Sequence, residues 1–83
     1  VITFVKGIMY NSMRRQKMLS SILKKERTKR ALSQEEVARA IWVSQPPYNY
    51  YESGTKVPSL AVIMSLADYF DVSIDYLVGR KDA

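Results

Sequence analysis

The stretch LSQEEVARAIWVSQPPYNYYESG, residues 32–54, opens on a helix-start signal, closes on a helix stop and holds a second start inside it. Ser33 is followed three residues later by Glu36, the spacing of a capping box. Glu35 and Glu36 also put negative charge near the positive end of a helix. Val37, Ala38 and Ile41 then recur on one helical face. Ser44 offers a second cap and Gly54 a second stop, which leaves room for one short helix. The obstacle is Pro46-Pro47, because proline in a helix interior removes a hydrogen bond and clashes with the preceding turn.

The register resolves the conflict. With Ser44 as cap, Pro46 and Pro47 are the second and third helical residues, whose N–H groups have no intrahelical acceptor. No ladder bond is lost there. The cost is the side-chain cap, worth about 1 kcal/mol, because Ser44 would bond an N–H that neither proline has. Against it, each proline stiffens the unfolded chain, a gain of roughly 0.4–1 kcal/mol. The terms nearly cancel, and the sequence predicts a helix over about 45–52 whose first turn is proline-locked. Gln45 and Pro46 each precede a proline, which disfavours the α region, so a start one or two residues later is the competing expectation.

Three further helices flank this pair. Residues 18–32 carry Leu19, Ile22 and Leu23 on one side and Lys or Arg elsewhere. In residues 59–70, Ser59 is a cap, and Leu60, Ile63, Leu66, Ala67 and Phe70 form a wide apolar stripe. In residues 73–79, Ser73 is a cap, Asp75 sits in the first turn and Gly79 is the stop. The chain therefore reads as all-α, a compact five-helix domain over residues 14–80 with a short tail at 81–83. Residues 1–13 are an N-terminal arm, a helix extension or a dimer contact.

Composition narrows the chemistry. The 83 residues contain no Cys and no His, which removes disulfides, thiolate metal sites and the commonest general base. No nucleophile is paired with a base and no glycine-rich loop cradles phosphate, so neither an enzyme nor a cofactor is expected. Asp68, Asp71 and Asp75 lie near helix ends, where capping and solubility account for them. No apolar run approaches a membrane span, and a soluble cytoplasmic protein is the simplest expectation. Charge is uneven: residues 1–30 hold nine basic side chains against Glu26 alone, and the rest hold four basic against seven acidic. That asymmetry points to a polyanionic partner or an anionic membrane surface, with a merely solvated basic face as the plain alternative.

The central pair has helix-turn-helix geometry. Ala38 is small enough to let two helices cross closely. Val43, Tyr48 and Tyr51 form the packing side of the second helix, and Gln45, Asn49 and Tyr50 project outward. An outward Gln at a helix start suits adenine in the major groove. LSQEEVA, VSQ…YE.G, PSL…LA and VSIDYL together resemble the family of Cro and lambda-type phage repressors and their bacterial XRE relatives, over residues 18–80. The resemblance implies a lambda-repressor-like DNA-binding domain, a transcriptional regulator expected to be a repressor, that binds double-stranded operator DNA as a homodimer. It implies base-reading roles for Gln45, Pro46, Asn49 and Tyr50, and backbone or groove contacts for Gln34, Ser44, Pro47 and Lys56, with Gln34 also bracing the recognition helix. It also implies a structural ion pair between Arg27 and Glu52. Four positions depart from the family's pattern. Ala31, Trp42 and Asp71 stand where Gly is common at helix ends, and Glu26 stands where an apolar residue is frequent. The competing function is a protein-interaction module on the same fold, an antitoxin or adaptor using Trp42, Tyr48, Tyr50 and Tyr51. A third is docking of residues 1–30 on a membrane surface.

Overall fold

The computed structural model describes residues 17–80; the expectations for residues 1–13 and for the tail at 81–83 lie outside the described residues. Five helices follow one another: α1 (17–29), α2 (Gln34–Ala40), α3 (Gln45–Ser53), α4 (Leu60–Phe70) and α5 (Ile74–Leu77). No strand occurs among the described residues.

The four helices after α1 start on serine. Ser33, Ser59 and Ser73 accept hydrogen bonds from the backbone N–H of Glu36, Val62 and Tyr76. The Glu36 side chain returns the bond by accepting from the Ser33 N–H at 3.0 Å, completing the capping box. Ser44 has the extended conformation of a cap but makes no side-chain bond, because Pro46 and Pro47 occupy the positions that would donate it. The helix nonetheless begins at Gln45, so the proline-locked start holds and the later start does not.

All five helices end in the same way. After each, the chain turns through one left-handed residue, and the next N–H reaches the carbonyl five residues back. The pairs are Leu32 to Arg27, Val43 to Ala38, Thr55 to Tyr50, Val72 to Ala67 and Arg80 to Asp75, at 2.8–3.1 Å. Glycine fills the left-handed position at Gly54 and Gly79, while Ala31 (φ 56°), Trp42 (φ 63°) and Asp71 (φ 56°) fill the others. Side chains there clash with the backbone at a cost of roughly 1–2 kcal/mol, less for Asp. Trp42 has little to offset that cost, since it is 94% exposed. Trp42→Gly is therefore expected to raise the unfolding free energy by about 0.5–1 kcal/mol, after allowing for glycine's freer unfolded chain. A urea titration that shows no gain would place the tryptophan in a contact that offsets its strain.

The core joins every helix. Leu19 and Leu23 of α1, Val37 and Ala38 of α2, Tyr48 of α3, Ile63, Leu66, Ala67 and Phe70 of α4, and Leu77 of α5 are all buried in one cluster with Ile41. Ala38 is 1% exposed where α2 crosses α3. The side chains expected to pack from α3 do so: Tyr48 is fully buried, and Val43 and Tyr51 are half-buried against the cluster. Tyr48 and Tyr51 meet edge to face, ring centroids 6.3 Å apart.

One residue departs from its surroundings. Glu26, within the basic run of α1, is a buried carboxylate. It meets Arg30 at 2.6 Å, Lys29 at 3.3 Å and the Tyr76 hydroxyl at 2.7 Å. Arg30 continues to the Phe70 carbonyl at 2.7 Å and lies over the Phe70 ring. The cluster ties α1 to the end of α4 and to α5.

Candidate nucleic-acid interface

Helix α3 has two faces. Tyr48 and Glu52 are buried, and Gln45, Pro46, Asn49 and Tyr50 are exposed. Those four line one open groove on the surface. The spacing explains why: residues 45, 46, 49 and 50 fall on adjacent i, i+4 rows, while 48 and 52 form the next row round, turned toward the core. The exposed face offers an amide from Gln45, an amide from Asn49, a phenol from Tyr50 and an apolar ring from Pro46. It carries no charge of its own.

The remaining expected contacts surround this face. Ser44 is exposed at the helix start, and Pro47 is half-buried beside it. Lys56, just past the helix, sits over the Tyr50 ring with Nζ 5.1 Å from its centroid. That stacking is not legible from sequence, because it depends on the turn that folds Thr55 and Lys56 back onto the Tyr50 carbonyl at 3.0 and 3.2 Å. The turn in turn needs Gly54, whose φ of 79° is left-handed.

Beneath the groove lies a chain of polar contacts. Arg27 of α1 grips the Glu52 carboxylate with Nε at 2.6 Å and Nη2 at 3.1 Å, and its Nη1 holds the Leu32 carbonyl at 2.9 Å. Gln34, at the start of α2, donates its Nε2 to Glu52 Oε1 at 3.2 Å. The Gln34 Oε1 in turn accepts from Asn49 Nδ2 at 3.0 Å. Burial opposes charge on Glu52, but the Arg27, Tyr48 and Gln34 groups outweigh it and hold the carboxyl below the usual range. The Tyr48 hydroxyl is buried near that carboxylate without reaching hydrogen-bond geometry. Burial and the Glu52 charge push its pKa well up, so it stays a neutral phenol.

The basic third of the chain is less available than its composition suggests. Arg27 and Arg30 are committed to the carboxylates of Glu52 and Glu26, and Lys29 also reaches Glu26. Lys24 and Lys25 are exposed on α1. No helix among the described residues is long and apolar enough to cross a membrane, and no group of acids there could hold a metal ion.

The sequence is similar to those of known proteins. Residues 23–77 match the helix-turn-helix family. A cryptic phage CTXphi transcriptional repressor, RstR, of Vibrio cholerae is 43% identical over 65 residues, covering 78% of this chain and 59% of that protein. An uncharacterized HTH-type transcriptional regulator of Bacillus subtilis, YqaE, is 34% identical over 61 residues, covering 74% of this chain and 53% of that protein. The HTH-type transcriptional regulator AnsR of Bacillus subtilis is 38% identical over 55 residues, covering 66% of this chain and 47% of that protein. The chain spans about half the length of these relatives. With α2 and α3 crossing at Ala38 and the match running from α1 through α5, the chain belongs to the helix-turn-helix family of the Cro, lambda-type repressor and XRE kind.

Proposed function

We propose that the chain is a cytoplasmic transcriptional regulator that binds double-stranded DNA in a sequence-specific way, with α3 in the major groove. The observation that carries this reading is the uncharged, hydrogen-bonding face of Gln45, Pro46, Asn49 and Tyr50, presented outward by a helix whose other face is locked into the core. A helix is about 10–12 Å across, and the major groove is about 12 Å wide. The names of the relatives support the same role, and RstR's supports repression. Gln45 and Asn49 supply the bidentate amides that suit adenine, and Pro46 supplies apolar contact for a thymine methyl. Gln34, Ser44, Pro47 and Lys56 lie around the rim, where phosphate contacts fix the register. Lys24 and Lys25 add charge. Assembly as a homodimer on a two-fold site, with half-sites one helical turn apart, completes the proposal.

A binding selection from randomised duplexes tests it. Gln45→Ala is expected to relax the preference at one position by roughly 1–3 kcal/mol while leaving the rest of the site. Lys56→Ala serves as the control, since loss of a phosphate contact weakens all sequences about equally and lowers the salt slope by about one. A Gln45→Ala variant that selects the same site with the same stringency would remove Gln45 from the interface.

A further inference from the structure

An amide side chain can present its oxygen or its nitrogen to a neighbour, and nothing in the group itself decides which. In Asn49 the choice is made by three residues behind it. An ionised carboxylate only accepts hydrogen bonds, and Glu52 is ionised against Arg27. Gln34, 3.2 Å from Glu52 Oε1, must therefore turn its nitrogen inward. Its oxygen is left facing Asn49, and an oxygen there takes only a donor. Asn49 must answer with Nδ2, as it does at 3.0 Å. What remains for a partner outside is the Asn49 Oδ1 and the second hydrogen of Nδ2, side by side on the groove that Gln45, Pro46 and Tyr50 also line.

We propose that the relay Arg27–Glu52–Gln34–Asn49 presets Asn49 as a reader of adenine, with Gln34, Glu52 and Arg27 as positioning residues. The inference rests on α3 entering the major groove. There adenine shows the N6 donor beside the N7 acceptor, which matches the oxygen and N–H that Asn49 has left. Guanine shows two acceptors, so its O6 meets the Asn49 oxygen. Thymine shows one acceptor and a methyl group, and cytosine one donor without the adjacent acceptor. The relay thus selects by fixing polarity. An Asn49 free to flip could satisfy guanine by turning its nitrogen outward.

The experiment is a binding selection from randomised duplexes with the wild-type chain, Asn49→Ala, Gln34→Met and Glu52→Gln, each checked for folding by circular dichroism and thermal unfolding. Asn49→Ala marks the position that Asn49 reads. The wild type is expected to prefer adenine there, and 7-deazaadenine, which lacks the N7 acceptor, should weaken binding at that position on the order of tenfold. Gln34→Met should flatten the preference at that position and leave the base preferred at the Gln45 position unchanged. Loss of a backbone contact by Gln34 would lower affinity for all sequences alike without altering which base is preferred. A variant that only loosened the fold would weaken every position together. Glu52→Gln should turn the relay round. The amide introduced there keeps its oxygen on Arg27 Nε, gives up the Nη2 contact at the Oε1 position and offers its nitrogen to Gln34 there, which then donates to Asn49, so that Asn49 accepts inward and presents only N–H outward. The preferred base should shift from adenine to guanine. If Glu52→Gln does not fold, Gln34→Met decides alone. A wild-type preference other than adenine at the Asn49 position, or an adenine preference undiminished in Gln34→Met, overturns the relay. A wild type that enriches no sequence at all overturns the DNA-binding reading with it.

Discussion

Replacing Arg27 with alanine should lower the unfolding free energy by about 3–5 kcal/mol, because it strands a buried carboxylate. The Glu52 side chain is 3% exposed, and Arg27 supplies both of its strongest contacts. The Gln34 amide alone cannot neutralise the charge left behind. Arg27 also holds the Leu32 carbonyl, so the turn between α1 and α2 loosens in the same variant. A small domain has about 5–15 kcal/mol of stability in all, so the loss is visible as a large drop in urea midpoint. Its pH dependence identifies the cause. In the wild type, the Glu52 pKa is depressed in the fold, so its contribution is full above the unfolded value of 4.5 and declines as pH falls. Without Arg27, burial raises that pKa instead. The gap between variant and wild type should therefore begin to narrow above pH 4.5, as the variant's raised pKa is crossed, and go on narrowing below it as the wild type loses its own contribution. Replacing the pair together, Arg27→Met with Glu52→Leu, should recover much of the stability, since a buried ion pair and an apolar pair of similar volume are often near equal. An Arg27→Ala variant within about 1 kcal/mol of wild type at neutral pH would mean that Glu52 is solvated in the native protein.

These two residues also show where sequence reading works. Ser33 and Glu36 announce α2 because a capping box is local chemistry, decided within four residues. The start of α3 is legible for the same reason: Pro46 and Pro47 are tolerated or not by their distance from Ser44 alone. The outward set Gln45, Asn49 and Tyr50 follows from helical spacing once the start is fixed. Arg27 and Glu52, 25 positions apart, come together only through the family resemblance, since no local rule brings α1 onto the end of α3. The resemblance makes Gln34 a brace on the recognition helix, but its particular partners there, Glu52 and Asn49, are not legible, because they depend on side-chain directions across the α2–α3 crossing. Glu26 is marked only by the resemblance, since the family often has an apolar residue at that position. A carboxylate among lysines and arginines reads as one member of a solvated face, and nothing local marks it as buried. Tyr76 is 50 positions away, and the Phe70 carbonyl that steadies Arg30 becomes available only at the end of α4.

That buried acid should dominate the protein's response to low pH. Burial of Glu26 raises the cost of its charge, but hydrogen bonds from Arg30, Tyr76 and Lys29 outweigh it and bring its pKa down to about 2. The unfolded value is 4.5, so the unfolded chain binds a proton first as pH falls. The contribution of Glu26 is then fully present above about pH 4.5, and is lost as pH drops through about 2. A difference of this size corresponds to about 3 kcal/mol. Unfolding free energy measured by urea at fixed salt should accordingly fall across that window. In Glu26→Gln, which keeps the shape and loses the charge, the curve should be lower at neutral pH and flatter toward acid. Tyr76→Phe removes one of the three hydrogen bonds, so it should move the acid limb upward in pH without abolishing it. Because Arg30 also holds the Phe70 carbonyl, the end of α4 and the short α5 should loosen first, and their amides should lose hydrogen-exchange protection before those of α2 and α3. A Glu26→Gln variant whose acid limb overlays the wild type would transfer the effect to Glu52, the other buried carboxylate among the described residues with a lowered pKa. The comparison therefore separates the α1–α5 tie from the one beneath the groove.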